Sequence, residues 1–299
     1  MLIILKQLFV LYAFLFLGWL FGRLKKGLAE HTGILSFLLV NLFLPSKVFG
    51  TFSANFTTDY ITKNYVTIII SVAILLGLVG VSLVISKFLT RDGYRRNIYR
   101  YTLTISNYAY MGYVLTEQVF GTTGLTDLIL FCIPFAMYTY TFGYAMLTGG
   151  GGSLRRLLTP LTFSIALGIV VGLTGLSIPD AVGQVLSMSS ACVGPVSMVL
   201  TGLTLSTFAL KELVNDKITY VVVAMRLLLI PAAVWGACTL LRLDSVVMPA
   251  TVMASMPSGL NTIVFPKLVG KDCRIGARLA LISHLFSLAT LPLWLSILM

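Results

Sequence analysis

The residues of this chain that could do chemistry lie inside apolar runs. Ser255-Met256-Pro257-Ser258-Gly259-Leu260-Asn261 puts a proline, a glycine and small polar residues where a membrane-spanning helix would carry leucine. Pro257 lacks a backbone donor and clashes with the preceding turn, so a helix break is expected there. In hydrocarbon a break is tolerated only where the freed backbone groups face protein or a water-filled cavity. A counterpart, Ser106-Asn107-Tyr108-Ala109-Tyr110-Met111-Gly112, interrupts an earlier apolar run. Laying Gly121 over Gly270 puts Ser106 over Ser255 and Gly112 over Asn261 without a gap. Interrupted segments at matching positions of two halves point to the binding site of a secondary transporter.

The chemistry follows from helix ends. A helix that restarts after a break presents unpaired amide N–H groups carrying about half a positive charge. Two restarts facing each other would hold a carboxylate without a lysine. The candidate substrate-binding residues are therefore Asn107, Gly112, Pro257, Ser258 and Asn261, with Asn41 from the proline-containing run Asn41-Leu42-Phe43-Leu44-Pro45-Ser46. Each crossing asparagine either contacts substrate or only caps its half-helix, since an amide suits both jobs.

Three charged residues are candidates for coupling or charge roles. Glu117 is a carboxylate inside an expected span, and because that placement is expensive a function is the default hypothesis. It either exchanges a proton or helps hold sodium, or it is simply solvated near the outer interface, about one turn from Gly121. Arg226, in Arg226-Leu227-Leu228-Leu229-Ile230-Pro231, either draws an anion inward or pairs with carbonyls released near Pro231. Lys47, just after Pro45, either lines the substrate path or snorkels outward. His284, beside Ser283 and Ser287, reads as an interhelical hydrogen-bonding residue rather than a proton relay. The polar run Tyr138-Thr139-Tyr140-Thr141 falls at the matching depth of the other half, where it would back the crossing point.

The elements that must position these residues are set by composition. Of 299 residues, 58% are hydrophobic and only 10% charged, with mean hydropathy +0.96. Soluble domains carry about 25% charged residues, so this is an integral membrane protein. Apolar runs of roughly 20 residues each span a bilayer. Ten are expected, at 2–21, 33–52, 65–88, 101–120, 125–147, 158–178, 182–208, 218–241, 246–268 and 277–298, leaving no room for a separate soluble domain. The first run, Leu2 to Phe21, reads as a span rather than a cleavable signal: it is long, and Arg23, Lys25 and Lys26 follow it. Cys132, Cys192, Cys238 and Cys273 have neither metal-ligand nor redox spacing, so no metal and no disulfide are expected.

The net charge of +11 would suit nucleic acid, but the basic residues sit at span ends, where lipid is the partner. No nucleic-acid partner is expected. Loops after odd-numbered spans carry Arg23, Lys25, Lys26, Lys87, Arg91, Arg95, Arg96, Arg100, Arg155, Arg156, Lys211, Lys217, Lys267, Lys271, Arg274 and Arg278; the other loops carry Lys63 and Arg242. The positive-inside rule then puts both termini outside, in what reads as a bacterial inner membrane. Two five-span halves have opposite orientation, giving inverted repeats at 1–147 and 158–299. Pro45 and Pro195 read as matching kinks in the second and seventh spans. Between the halves, 148–157 is a cytoplasmic linker in which Gly149 to Gly152 and Ser153 are flexible by composition, whether native or introduced. Gly168 and Gly172 form a small-xxx-small pair for close helix packing.

The ten-span plan, Asn107 to Gly112, Arg226 to Pro231, Pro257 to Asn261 and Ser287 to Pro292 together resemble the auxin efflux carrier family, over nearly the whole chain. That family includes organic-acid carriers and shares its plan with bile-acid sodium symporters. The resemblance implies an all-α fold with crossed, broken fourth and ninth helices. It implies a scaffold of spans 1, 2, 6 and 7 and a mobile transport domain of spans 3–5 and 8–10, and it leaves room for a homodimer through the scaffold. Asn107 and Asn261 inherit the crossing-point role. One departure is Val114, where relatives carry a proline two residues after the glycine; the first break then rests on Gly112 and Asn107.

The expected function is secondary transport of a small organic anion, a mono- or dicarboxylate such as malate or malonate, by elevator-like alternating access. No cofactor is expected beyond proton or sodium coupling. The absence of a Walker motif argues against direct ATP use. A sodium-coupled bile-acid-type symporter or a transporter-like sensor is the alternative; only Glu117 and Gln118 approach the amide and carboxylate cluster a sodium site needs. An intramembrane enzyme is a remote alternative, since no acid–base or nucleophile constellation is apparent.

Overall fold

Unpaired backbone groups have no stable place in hydrocarbon, so apolar runs close their hydrogen bonds locally and fold as helices. The computed structural model describes residues 2–25, 27–150 and 157–299. Gly151 to Ser153 of the linker, together with Arg155, Arg156 and Lys26, lie outside the described residues. In chain order the helices are α1 (Leu2–Leu24), α2 (Leu28–Asn55), α3 (Thr58–Leu89), α4 (Gly93–Thr104), α5 (Tyr108–Thr148), α6 (Pro160–Thr174), α7 (Asp180–Ser206), α8 (Leu210–Val214), α9 (Lys217–Leu240), α10 (Asp244–Ser255), α11 (Asn261–Leu268) and α12 (Arg274–Ile297). Among the described residues, β-type pairing is limited to one isolated antiparallel bridge between Ser106 and Ser258. Seven helices, α1, α2, α3, α5, α7, α9 and α12, are long and apolar enough to cross a membrane, and α6 is a shorter apolar helix.

Helix α5 has 41 residues. Straight, it would reach about 60 Å, twice the roughly 30 Å hydrocarbon core. It turns instead at Gly121, where φ is 73° and ψ is −174°, a region that glycine enters without a Cβ penalty. The result is two helical segments, 108–120 and 122–148. Gly270, which the sequence lays over Gly121, also has positive φ, 68°, and follows α11.

Prolines shape the other helices. Pro45 and Pro231 each follow a wide turn whose hydrogen bonds skip to the fifth residue, at Leu39–Phe43 and Met225–Leu229. Such turns accommodate the donor that proline lacks. Helix α7 is interrupted at Cys192, just ahead of Pro195.

Two helix pairs pack backbone to backbone. A Cβ added to Gly202 of α7 would lie 2.0 Å from the Leu15 carbonyl oxygen of α1, and one on Gly18 would lie 2.3 Å from that of Val199. Gly168 and Gly172 of α6 press in the same way on Phe49, Phe52 and Phe56 at the end of α2. Lipid supplies no hydrophobic drive between helices, so van der Waals contact at small residues holds such pairs. Helices α1, α2 and α7 also contact α5, which begins just after the first of the two breaks.

Candidate substrate site at two helix breaks

Helix α4 stops at Thr104 and α5 begins at Tyr108; α10 stops at Ser255 and α11 begins at Asn261. The two gaps touch. Asn107 N–H donates to the Pro257 carbonyl at 2.8 Å, and Ser106 Oγ donates to the Met253 carbonyl at 2.7 Å. Gly259 eases this approach, since a Cβ there would meet the Ser106 carbonyl oxygen at a tight 3.3 Å. Ser258 N–H donates to Ser283 Oγ of α12 at 2.9 Å. The first gap, 105–107, is shorter than the second, 256–260. Val114 packs its methyl against Gly194, where an added Cβ would meet it at 3.0 Å.

The opening turns of α5 and α11 share one small cavity of about 40 Å³. Tyr108, Ala109 and Tyr110 line it from one side and Gly259, Leu260 and Asn261 from the other. The first amides of each restart have no helical carbonyl behind them, so positive helix ends converge on this space. Leu44 of α2, Leu161 of α6 and Thr139 of α5 complete the wall. The volume suits about one water molecule.

The polar side chains here are oriented by neighbours. His284 of α12 is buried; its Nδ1 donates to the Ala280 carbonyl at 2.7 Å, so Nε2 accepts from the Asn107 amide at 3.3 Å. Asn261 Nδ2 donates to Tyr101 Oη at 2.9 Å. The Ser258 hydroxyl is fully buried and has no hydrogen-bond partner in the protein. Gly112 closes the wide first turn of α5 and lies against Met256, whose Cγ an added Cβ would meet at 3.3 Å.

Lys47 and Glu117 lie apart from the breaks but together. Lys47 Nζ forms an ion pair with Glu117 Oε2 and reaches Ser190 Oγ at 3.3 Å. The pair lines a cavity of about 440 Å³ with Thr51, Thr122, Ser187 and Ser190, and a second of about 190 Å³ with Gln7 and Gln118. Lys47 is 3% exposed and Glu117 28%, so Lys47 does not snorkel outward and Glu117 is not simply solvated.

Two expectations are corrected. Asn41 is exposed and donates to the Phe37 carbonyl of its own helix at 2.8 Å, so it does not line the cavity at the breaks. Arg226 is fully buried but does not serve carbonyls near Pro231; the Leu227 carbonyl that Pro231 leaves free accepts from Trp294 Nε1 at 2.8 Å. Arg226 reaches the breaks instead, donating to the Leu103, Met253 and Met256 carbonyls. Sequence reasoning also missed Tyr12 of α1, whose hydroxyl donates to the His284 carbonyl at 2.7 Å and lies 2.5 Å from Ser287 Oγ. It missed Asp127, an in-span carboxylate that accepts from Tyr60 Oη at 2.6 Å.

The sequence is similar to known membrane transporters. The family model described as membrane transport protein matches residues 3–156 and 152–295. The chain belongs to that family, the membrane transport proteins of auxin efflux carrier type. An uncharacterized transporter of Methanothermobacter thermautotrophicus is 29% identical over 63% of this chain and 63% of its own length. An uncharacterized transporter of Methanocaldococcus jannaschii is 26% identical over 92% of this chain and 91% of its own. A Rhizobium meliloti protein named "Putative malonate transporter" is 25% identical over 93% of this chain and 91% of its own. This family member is a membrane transporter whose two helix breaks meet beside a small cavity lined by residues of both.

Proposed function

We propose that the chain carries a small carboxylate across the membrane by alternating access, binding it between the restarts of α5 and α11. The observation that carries this reading is the convergence of both opening turns on one cavity, since paired positive helix ends favour an anion at mid-membrane. Asn107, Ser258 and Asn261 supply side-chain contacts, with Gly112 and Pro257 shaping the breaks. The name of the Rhizobium meliloti relative supports a dicarboxylate such as malonate as the first probe.

The topology of this reading is ten passes in two inverted halves. Gly121 divides α5 into two passes, the first continuing α4 across the break; α10 and α11 form a single broken pass. Helices α1, α2, α6 and α7 form the scaffold, and the remainder moves against it. Leu44 and Leu161, both on scaffold helices, close the small cavity, so sliding the two groups apart admits an anion. Polar contacts across this boundary include Lys47 with Glu117, Tyr12 with Ser287, and Ser197 Oγ to the Tyr110 carbonyl at 3.0 Å.

The test is a thermal-shift titration of purified protein with malonate, malate and monocarboxylates, repeated with Asn261→Ala. Saturable stabilisation by at least one carboxylate, weakened at least tenfold in the variant, is expected. No response from the wild type, or unchanged affinity in the variant, refutes the assignment.

A further inference from the structure

The C-terminal ends of α4 and α10 converge on a single side chain. In an unbroken helix the Leu103 carbonyl would accept from residue 107 and the Met253 carbonyl from residue 257. Asn107 N–H has instead gone to Pro257, and Pro257 has no N–H. Arg226 takes both carbonyls and one more: Nη1 to Leu103 at 3.4 Å, Nη2 to Met253 at 3.1 Å and Nε to Met256 at 3.3 Å. Ser106 Oγ joins the same group through the Met253 carbonyl, at 2.7 Å. Among the described residues no carboxylate pairs with Arg226, which is fully buried. Its charge is balanced by carbonyl oxygens and by the negative ends of two helix dipoles.

Main-chain carbonyls and half-helix C-termini are the groups that hold a coupling sodium ion in transporters with broken helices. We infer that Arg226 is a resident cation in that place: its guanidinium fills the space between the two helix ends, which therefore stay neutralised without an alkali ion from solution. This goes beyond the anion-transport reading and is independent of the identity of the substrate. It also separates the chain from the sodium-coupled alternative. Truncating Arg226 leaves a hole lined by oxygen that fits guanidinium and attracts small monovalent cations.

The experiment compares melting of purified wild type, Arg226→Ala and Arg226→Lys in N-methylglucamine, sodium and guanidinium chlorides at equal, millimolar ionic strength. The wild type should melt alike in sodium and N-methylglucamine. Arg226→Ala should melt lower and recover saturably with guanidinium but not with N-methylglucamine, while Arg226→Lys falls between. A merely structural arginine would lose stability without cation-specific recovery, so an indifferent Arg226→Ala overturns the inference. Saturable stabilisation of the wild type by sodium overturns it as well. Should Arg226→Ala not be recovered from membranes, the wild-type sodium titration and the lysine variant decide: a flat response with a folded lysine variant supports the inference, and either opposite result sinks it.

Discussion

Removing the charge of Glu117 should cost more stability than removing that of Lys47. The two form one ion pair, but Lys47 is 3% exposed and Glu117 28%. Glu117→Gln leaves a buried ammonium without a counter-charge, facing only neutral partners: the new amide oxygen and the Ser190 hydroxyl at 3.3 Å. Breaking a fully buried pair in this way costs about 3–5 kcal/mol. The 440 Å³ cavity beside the pair lets water approach, which lowers the expected loss to about 1–3 kcal/mol. Lys47→Met leaves a carboxylate that already borders that cavity and can hydrate, so about 1 kcal/mol or less is expected. The double variant has no stranded charge and should be less destabilised than the sum of the singles, with coupling of about 1 kcal/mol or more. Thermal melts of the four proteins in detergent measure the cycle. Equal losses with no coupling, or a larger loss for Lys47→Met, would show that burial does not govern this pair.

Other substitutions test the breaks and the packing. Pro257→Ala restores a donor for the Met253 carbonyl and competes with Arg226 and Ser106; carboxylate affinity should fall at least tenfold while the melting temperature holds, and retained affinity would mean that the break does not depend on the proline. Gly202→Ala drives a methyl into the α1 backbone and should cost about 1–3 kcal/mol, whereas Gly33→Ala, with open space around it, should be neutral or stabilising; equal melts would reject the close crossing. Outside the membrane, hydrogen bonds from Arg274 hold the Asp272 carboxyl below the usual carboxylate range. A depressed folded value stabilises above the unfolded pKa of about 3.9 and is lost as pH falls through the folded one; with the side chain 43% exposed the contribution is within about 1 kcal/mol. The melting difference between wild type and Asp272→Asn should therefore shrink toward zero in acid, and a constant difference would contradict this.

The second break was legible because Pro257 removes a donor at a position no other signal explains. The gapless pairing of the halves was less faithful. It lays Gly112 over Asn261, yet the helices restart at Tyr108 and Asn261. The wide turn Tyr108–Gly112 accounts for one residue of that four-residue offset, and residue identity does not announce such a turn. For Arg226 the sequence offers an anion or the carbonyls near Pro231 as partners, and its actual partners lie elsewhere. Trp294 serves the carbonyl freed there, from a helix 67 positions away in sequence. In the sequence Lys47 and Glu117 stand as separate candidates; their pairing joins α2 to α5 across 70 positions, and no local pattern encodes such a contact. Asn41 shows the opposite error, a polar residue that satisfies itself on its own helix.

Leu103, Met253 and Met256 give Arg226 nothing but main-chain oxygen, and the amide groups left unpaired where a helix restarts are main-chain too. Both poles of the crossing are thus written in peptide groups, which point mutation of the surrounding apolar residues cannot delete. On the proposed reading, diversification of what is carried can proceed by resculpting the walls, one side chain at a time, while this main-chain polarity is inherited intact.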